Sequence, residues 1–164
     1  MKLRLDSWPH ENQASTRDGQ VIELSHPKVR PSLSFVVPCY NEEENIASTI
    51  LEISNEASRL NHSFEIILVD DGSRDRTIDI CRTLMNDYPV RVARLSRNFG
   101  KEQAISAGLT LAAGDATVIL DADLQEPISY LETLIEHWKN GYEMVYAVRA
   151  DRNDELWFKR SAVR

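Results

Sequence analysis

The residues best suited to chemistry are two aspartates two positions apart, Asp121 and Asp123, in the segment Asp121-Ala-Asp-Leu-Gln125. A short apolar, β-branched run over residues 116–120 precedes them and predicts a buried strand. If the backbone stays extended there, both side chains point the same way. Two carboxylates this close repel each other unless a cation neutralises them, and oxygen ligands without a nearby His or Cys favour Mg²⁺ or Mn²⁺. The pattern predicts a metal–diphosphate site at the edge of a sheet.

A structural role for the two aspartates also stays open at this point. Asp often ends a strand or caps the following helix, and the D-x-D pattern occurs by chance in many proteins. Open α/β sheets bind ligands at the C-terminal ends of their strands, and this favours the functional interpretation.

The elements that position these residues alternate regularly along the chain. Strands are predicted over residues 33–37, 64–69, 90–95, 116–120 and 143–147, separated by helical stripes and short connections. The first helix is expected to begin at Asn41 as N-cap, with Glu44 as its capping-box partner. This order is typical of an open, mostly parallel α/β sheet flanked by helices.

Polar clusters follow three of these strands. They are Pro38–Tyr40, Asp70–Asp71 and Asp121–Asp123. Because parallel strands end at the same edge of a sheet, the three clusters are expected to form one cleft. Asp70 has a structural alternative, which is to hold the turn at Gly72 and Ser73 through an Asx-type hydrogen bond.

Composition restricts the class of protein. The 164 residues suit one domain, and a net charge of −7, from 19 basic and 26 acidic residues, argues against a nucleic-acid binder. Two distant cysteines indicate neither a disulfide framework nor a zinc site, and no apolar run approaches the ~20 residues of a membrane span. We expect residues 1–31 to be a flexible segment and 32–164 a folded domain. The chain stops in mid-pattern at Arg164, so we expect a fragment of a longer protein.

Four segments together resemble glycosyltransferase family 2. They are Pro38-Cys-Tyr-Asn-Glu-Glu-Glu-Asn45, Asp70-Asp-Gly-Ser-Arg-Asp-Arg-Thr77, Leu95-Ser-Arg-Asn-Phe-Gly-Lys-Glu102 and Asp121-Ala-Asp-Leu-Gln-Glu-Pro127. The similarity is strongest to dolichyl-phosphate mannose synthases and bacterial polyprenyl-phosphate glycosyltransferases. It implies that residues 32–164 are a nucleotide-sugar-binding catalytic domain of GT-A (Rossmann-like) fold, incomplete at its C-terminus. It also implies a nucleotide-sugar donor, Mg²⁺ or Mn²⁺, and a lipid-phosphate acceptor at the cytoplasmic face of a membrane.

The resemblance also implies roles for single residues. Nucleotide-sugar binding is implied for Pro38, Tyr40, Glu42, Val69, Asp71, Asp121, Ala122, Asp123 and Arg149. Direct metal ligation is implied for Asp123 and Gln125, and acceptor-phosphate binding for Lys159 and Arg160. The catalytic set is Asp121, Asp123 and Arg149. A guanidinium is well shaped for bidentate phosphate contact, although each of these basic residues could also be a solvated charge.

The chemistry implied is single-step inversion. A phosphate acceptor is already anionic near neutral pH and needs no strong general base to attack the sugar. Two alternatives stay open: a family 2 enzyme with a saccharide or other hydroxyl acceptor, and a donor-binding but inactive fragment. A phosphoacceptor receiver module also has an acidic pair in an α/β domain, but there the pair follows the first strand, whereas here it follows the second.

Overall fold

The structure, a computed structural model, describes parts of the chain at two levels of detail. Backbone is described over residues 15–17, 20–23, 32–124, 128–149 and 156–161, and side chains over residues 32–124 and 128–147. Within these ranges a six-stranded sheet carries helices on both faces, and a separate two-stranded sheet follows it.

The strands are β1 (Ser15–Arg17), β2 (Gln20–Glu23), β3 (Leu33–Cys39), β4 (Phe64–Asp70), β5 (Val90–Arg94), β6 (Ala116–Ile119), β7 (Met144–Arg149) and β8 (Leu156–Ser161). The helices are α1 (Ile46–Arg59), α2 (Thr77–Leu84), α3 (Lys101–Leu111) and α4 (Leu131–Lys139), with a 3₁₀ turn over Ile128–Tyr130. Within the described ranges, no helix combines the length and the apolar composition that a membrane span requires.

Four parallel strands form the centre of the main sheet, whose order is β1-β2-β5-β4-β3-β6. Burial of β3 along its whole length explains its nearly continuous apolar sequence. One face packs against α1, whose stripe is Ile46, Ile50, Ile53 and Ala57; the other face packs against α3 around Val36 and Ala104. The predicted parallel α/β sheet flanked by helices is confirmed.

The N-terminal segment contains two strands that its polar sequence does not predict. β1 and β2 form an antiparallel hairpin, and β2 pairs antiparallel with β5, for example Ile22 with Ala93. Polar side chains are compatible with an added strand at the sheet's edge, because backbone hydrogen bonds supply the pairing.

The predicted fifth strand forms, but it does not join the parallel sheet as expected. β7 pairs antiparallel with β8, from Met144–Ser161 to Arg149–Leu156, in a separate sheet. Met144 and Tyr146 are exposed while Val145 and Ala147 are half-buried. This alternation suits a strand with one solvated face rather than one covered on both faces.

The start of the first helix is also corrected. Asn41 has a left-handed φ of 56°, and α1 begins only at Ile46, after Asn45. Asn41 instead contacts the neighbouring loop: its amide donates to Ser73 Oγ at 2.9 Å, and its Oδ1 accepts from Arg74 N at 2.9 Å. These bonds replace the predicted capping box.

Candidate active site

A cleft of about 310 Å³ lies beyond the C-terminal ends of β3 and β6. From β3 the chain continues to β4 on one side, whereas β6 lies on the other side. This change in strand order is the point at which open α/β sheets form a ligand crevice. The cleft is lined by Pro38, Cys39, Tyr40, Glu42, Asp71, Asn98, Gly100, Lys101, Ala104, Asp121, Ala122 and Asp123.

Seven of the residues expected at a donor site lie together in this cleft. They are Pro38, Tyr40, Glu42, Asp71, Asp121, Ala122 and Asp123. They come from three separate segments of the chain, each at or shortly after the C-terminal end of a parallel strand. The predicted convergence of three polar clusters at one edge therefore matches the positions of these residues.

Other expected site residues lie elsewhere or outside the described side chains. Val69 is fully buried in the core layer under α3, so its side chain cannot reach a ligand in the cleft. Gln125 lies outside the described residues. Arg149 lies at the end of β7, and Lys159 and Arg160 lie in β8, paired with Tyr146 and Val145. Only their backbone is described.

The loop that carries Tyr40 and Glu42 is held by the loop that follows β4. Glu42 N donates to Thr77 Oγ1 at 2.8 Å, and Thr77 Oγ1 donates to Asp75 Oδ1 at 2.6 Å. Burial alone would raise the pKa of Asp75, but hydrogen bonds from Thr77 and the amide of Glu43 outweigh it and lower that pKa. Asp75 therefore stays ionised and keeps the two loops together.

Asp70, the last residue of β4, and Asp71, which follows it, have different hydrogen-bond partners. Asp70 is fully buried, accepts from Ser73 N at 3.0 Å, and has Oδ2 3.1 Å from Arg94 Nε. The Asx-type alternative for Asp70 is confirmed. Asp71 accepts from the amides of Phe99 and Gly100, each at 2.8 Å, and so positions the start of α3 at the cleft.

The aspartate pair lies in a turn, not in extended backbone as expected. Leu120 N donates to Val36 O at 3.0 Å, but β6 already ends at Ile119, and Leu124 N donates to Asp121 O at 3.2 Å. Thr49 of α1 donates to the buried carbonyl of Ala122 at 2.6 Å. Both aspartates still line one cleft, because the turn and its contact with α1 orient them.

Among the residues whose side chains are described, Lys101 is a cation that pairs with Asp121. Its Nζ lies 2.6 Å from Asp121 Oδ1, and both side chains are about half exposed, at 58% and 52%. A cation at the first residue of a helix opposes the helix dipole. Its position at the start of a helix is a sequence signal for a role of Lys101, whereas nothing in the sequence predicts the contact of Thr49.

The donor atoms suit a divalent ion only in part. Carboxylates of Asp121 and Asp123 are the oxygen ligands that Mg²⁺ and Mn²⁺ prefer. Within the described ranges, no three His, Cys, Asp or Glu side chains converge to hold an ion. A bound ion would therefore need further oxygens, which waters and ligand phosphates commonly supply.

Cys39 is a poor nucleophile although it lines the cleft. The thiol is buried and donates to Val69 O at 3.6 Å. A hydrogen bond with Cys81 and burial raise the pKa of Cys39 well above its ordinary value, and nearby carboxylates raise it further. The thiol therefore stays protonated at neutral pH, and a covalent intermediate on Cys39 is not favoured.

Known proteins resemble the chain in sequence. It is 44% identical over 128 residues to the uncharacterized glycosyltransferase YkcC of Bacillus subtilis, covering 77% of this chain and 40% of that protein. It is 39% identical over 127 residues to the undecaprenyl-phosphate 4-deoxy-4-formamido-L-arabinose transferase of Pseudomonas syringae, covering 76% and 38%. The chain thus spans about 40% of the length of these relatives.

Solved structures resemble it in fold. The mannosyltransferase PcManGT of Pyrobaculum calidifontis, in complex with GDP-Man and Mn²⁺, has a TM-score of 0.63 and 25% identity over 77% of this chain and 38% of that one. This likeness confirms the GT-A-like fold. The model of the family described as glycosyl transferase family 2 matches residues 34–164. The chain belongs to glycosyltransferase family 2.

Proposed function

We propose that residues 32–164 form the donor-binding part of an inverting glycosyltransferase that moves a sugar from UDP or GDP to a polyprenyl phosphate. The observation that carries the proposal is the convergence of Tyr40, Glu42, Asp121 and Asp123 on one cleft at the switch point of the sheet. The Pseudomonas syringae relative, an undecaprenyl-phosphate transferase, supports the acceptor class. A lipid-linked acceptor would be reached at a membrane surface, and we propose the cytoplasmic face as the place where the whole protein acts.

We assign the residues of this cleft to different parts of the nucleotide-sugar donor. Tyr40 and Glu42 suit the base and ribose, because an aromatic ring can stack and a carboxylate can accept hydrogen bonds from hydroxyl groups. Asp71 also lines the cleft, and each of its carboxylate oxygens already accepts one backbone N–H. Asp121 and Asp123 lie where a diphosphate would pass, and Asp123 with Gln125 would hold Mg²⁺ or Mn²⁺. When bound, the ion supplies charge neutralisation for the leaving nucleoside diphosphate.

The transfer needs positioning more than acid–base chemistry. An acceptor phosphate oxygen forms a bond to the anomeric carbon as the bond from that carbon to the donor diphosphate breaks, with inversion. The acceptor is already anionic, so no side chain must remove a proton. Arg149, Lys159 and Arg160 are the cations we propose for holding the phosphates in place.

Calorimetric titration of UDP and GDP, each with and without Mn²⁺, tests the donor site. We expect Mn²⁺ to raise the affinity for one nucleotide by about tenfold or more. Asp123→Ala should abolish that increase, whereas Asp87→Ala, which removes an exposed carboxylate before β5, should retain it. Unchanged Mn²⁺ dependence in Asp123→Ala would refute the ligand assignment.

A transfer assay separates the possible acceptors. Radiolabelled donor sugar should move to a polyprenyl phosphate and not to free glycans when the whole protein is supplied. Transfer to glycans alone would establish the hydroxyl-acceptor alternative. Metal-dependent nucleotide binding by the 164-residue chain without transfer by the whole protein would show an inactive donor-binding domain.

A further inference from the structure

We infer that Lys101 couples divalent-ion binding to donor binding by exchanging its partner between Asp121 and the donor diphosphate. This inference rests on the proposed function and assigns a positioning role to a residue outside the expected donor and metal sets. It starts from the ion pair across the cleft, with Lys101 Nζ 2.6 Å from Asp121 Oδ1.

The base of Lys101 is held firmly while its ammonium is free to move. Asp71 accepts hydrogen bonds from Phe99 N and Gly100 N, and these bonds position the residue that follows. The Lys101 side chain is 58% exposed, so its four-carbon stem has room to move between partners. An exposed ion pair of this kind is weak and can be exchanged at little cost.

The charges in the cleft make the exchange favourable. Lys101 neutralises Asp121, whose charge would otherwise help to attract a divalent ion to the neighbouring Asp123, and its ammonium repels that ion as a like charge. A nucleoside diphosphate brings anionic oxygens that can accept the ammonium and leave the Asp121 carboxylate available. Lys101 therefore opposes ion binding without donor and supports it with donor, which is positive coupling between two ligands.

Lys101→Met is the variant that tests this coupling, with calorimetry of Mn²⁺ alone, UDP or GDP alone, and both together. We expect Mn²⁺ alone to bind about fivefold more tightly than in the wild type, and the Mn²⁺-supported nucleotide affinity to fall about tenfold. The two changes have opposite signs, which a general loss of structure would not produce. Lys101→Arg, which retains the charge, should behave like the wild type.

Arg97→Met is the matched control, because it removes one positive charge from the same loop at a residue that is not among those lining the cleft. Arg97→Met should change neither the affinity for Mn²⁺ alone nor the Mn²⁺-supported nucleotide affinity by more than about twofold. Equal changes of the same sign in Lys101→Met, or an unchanged coupling, would overturn the inference while leaving the proposed function intact. Failure of the wild type to bind either nucleotide would defeat both.

Discussion

Single hydrogen bonds determine where the chemically useful groups of the cleft point. Asp70 and Asp71 are neighbours in sequence, yet Asp70 stabilises its own turn. Asp71 instead accepts from the amides of Phe99 and Gly100, directly before α3. The aspartate pair depends in the same way on Thr49, which donates to Ala122 O between the two carboxylates. The bonds to Asp70 and to Ala122 O are buried, and those to Asp71 are partly buried, so each is costly to leave unmade.

Thr49→Val should disturb the aspartate turn without changing the size of the side chain. The carbonyl of Ala122 would lose its buried donor, at a cost of about 1–3 kcal/mol in the free energy of unfolding. The Mn²⁺-supported affinity for nucleotide should also fall, because the turn orients Asp121 and Asp123. Urea unfolding and calorimetric titration measure the two effects.

Thr110→Val is the control for the lost hydroxyl. Thr110 makes a comparable hydrogen bond to Ser106 O at 2.9 Å, but on an exposed part of α3 where water can replace it. The free energy of unfolding of Thr110→Val should differ from that of the wild type by no more than about 0.5 kcal/mol. Equal effects of the two variants would remove the special role of Thr49.

Helix α3 is held to the sheet at both of its ends. Asp71 holds the amides that begin it, at the cleft. At the far end, Glu65 accepts from Ser34 Oγ at 2.7 Å, Ala113 N at 2.8 Å and Arg91 at 2.9 Å. Arg91 also donates to Leu111 O at 2.9 Å. This buried polar network sets the position of α3 and, through it, of Lys101.

Arg91→Met should destabilise the fold strongly, although it lies far from the cleft. The pair with Glu65 is almost fully buried, with 7% and 2% of the side chains exposed. Removing one partner leaves a buried charge without its counter-ion, at a cost of about 3–5 kcal/mol. The midpoint of urea unfolding, compared with the wild type, measures the loss.

Arg59→Met supplies the matched comparison for a surface pair. Arg59 contacts Glu132 at 2.8 Å, but both side chains are about half exposed. Solvent screening should make its cost much smaller than that of Arg91→Met. A loss in Arg91→Met as small as that in Arg59→Met would contradict the role of the buried network.

Over the described molecule, the cleft and the Glu65 network lie at opposite ends of the parallel strands. The cleft lies beyond the C-terminal ends of β3 and β6, whereas the Glu65 network lies near the start of β4 and the end of α3. The two ends are separated by the apolar strands of the core. Ligand binding at the cleft is therefore expected to act locally.

Hydrogen exchange should show that ligand binding protects the cleft and not the Glu65 network. With Mn²⁺ and the preferred nucleotide, amides of residues 39–42, 98–101 and 121–123 should exchange about tenfold more slowly. The amides of Ala113 and Gly114, which donate to Glu65 and Ser34 at the other end, should change little. Equal slowing at both ends would indicate global stabilisation and contradict a local site.

Much of this architecture could be predicted from local patterns. Continuous apolar runs predicted the strands of the parallel sheet, and polar residues directly after them predicted the edge where Tyr40, Asp71 and Asp121 meet. These inferences succeed because burial on both faces and the direction of parallel strands depend on short stretches of sequence.

Contacts between distant residues could not be predicted in this way. Thr49 and Ala122 are 73 residues apart, and their hydrogen bond forms only because α1 packs beside the end of β6. The family motif predicts that Val69 binds the nucleotide sugar, but its side chain is buried in the core. Asn41 forms a hydrogen bond to a neighbouring loop instead of capping a helix. Such outcomes depend on which segments the folded chain brings together, because each polar group takes the nearest partner that packing allows.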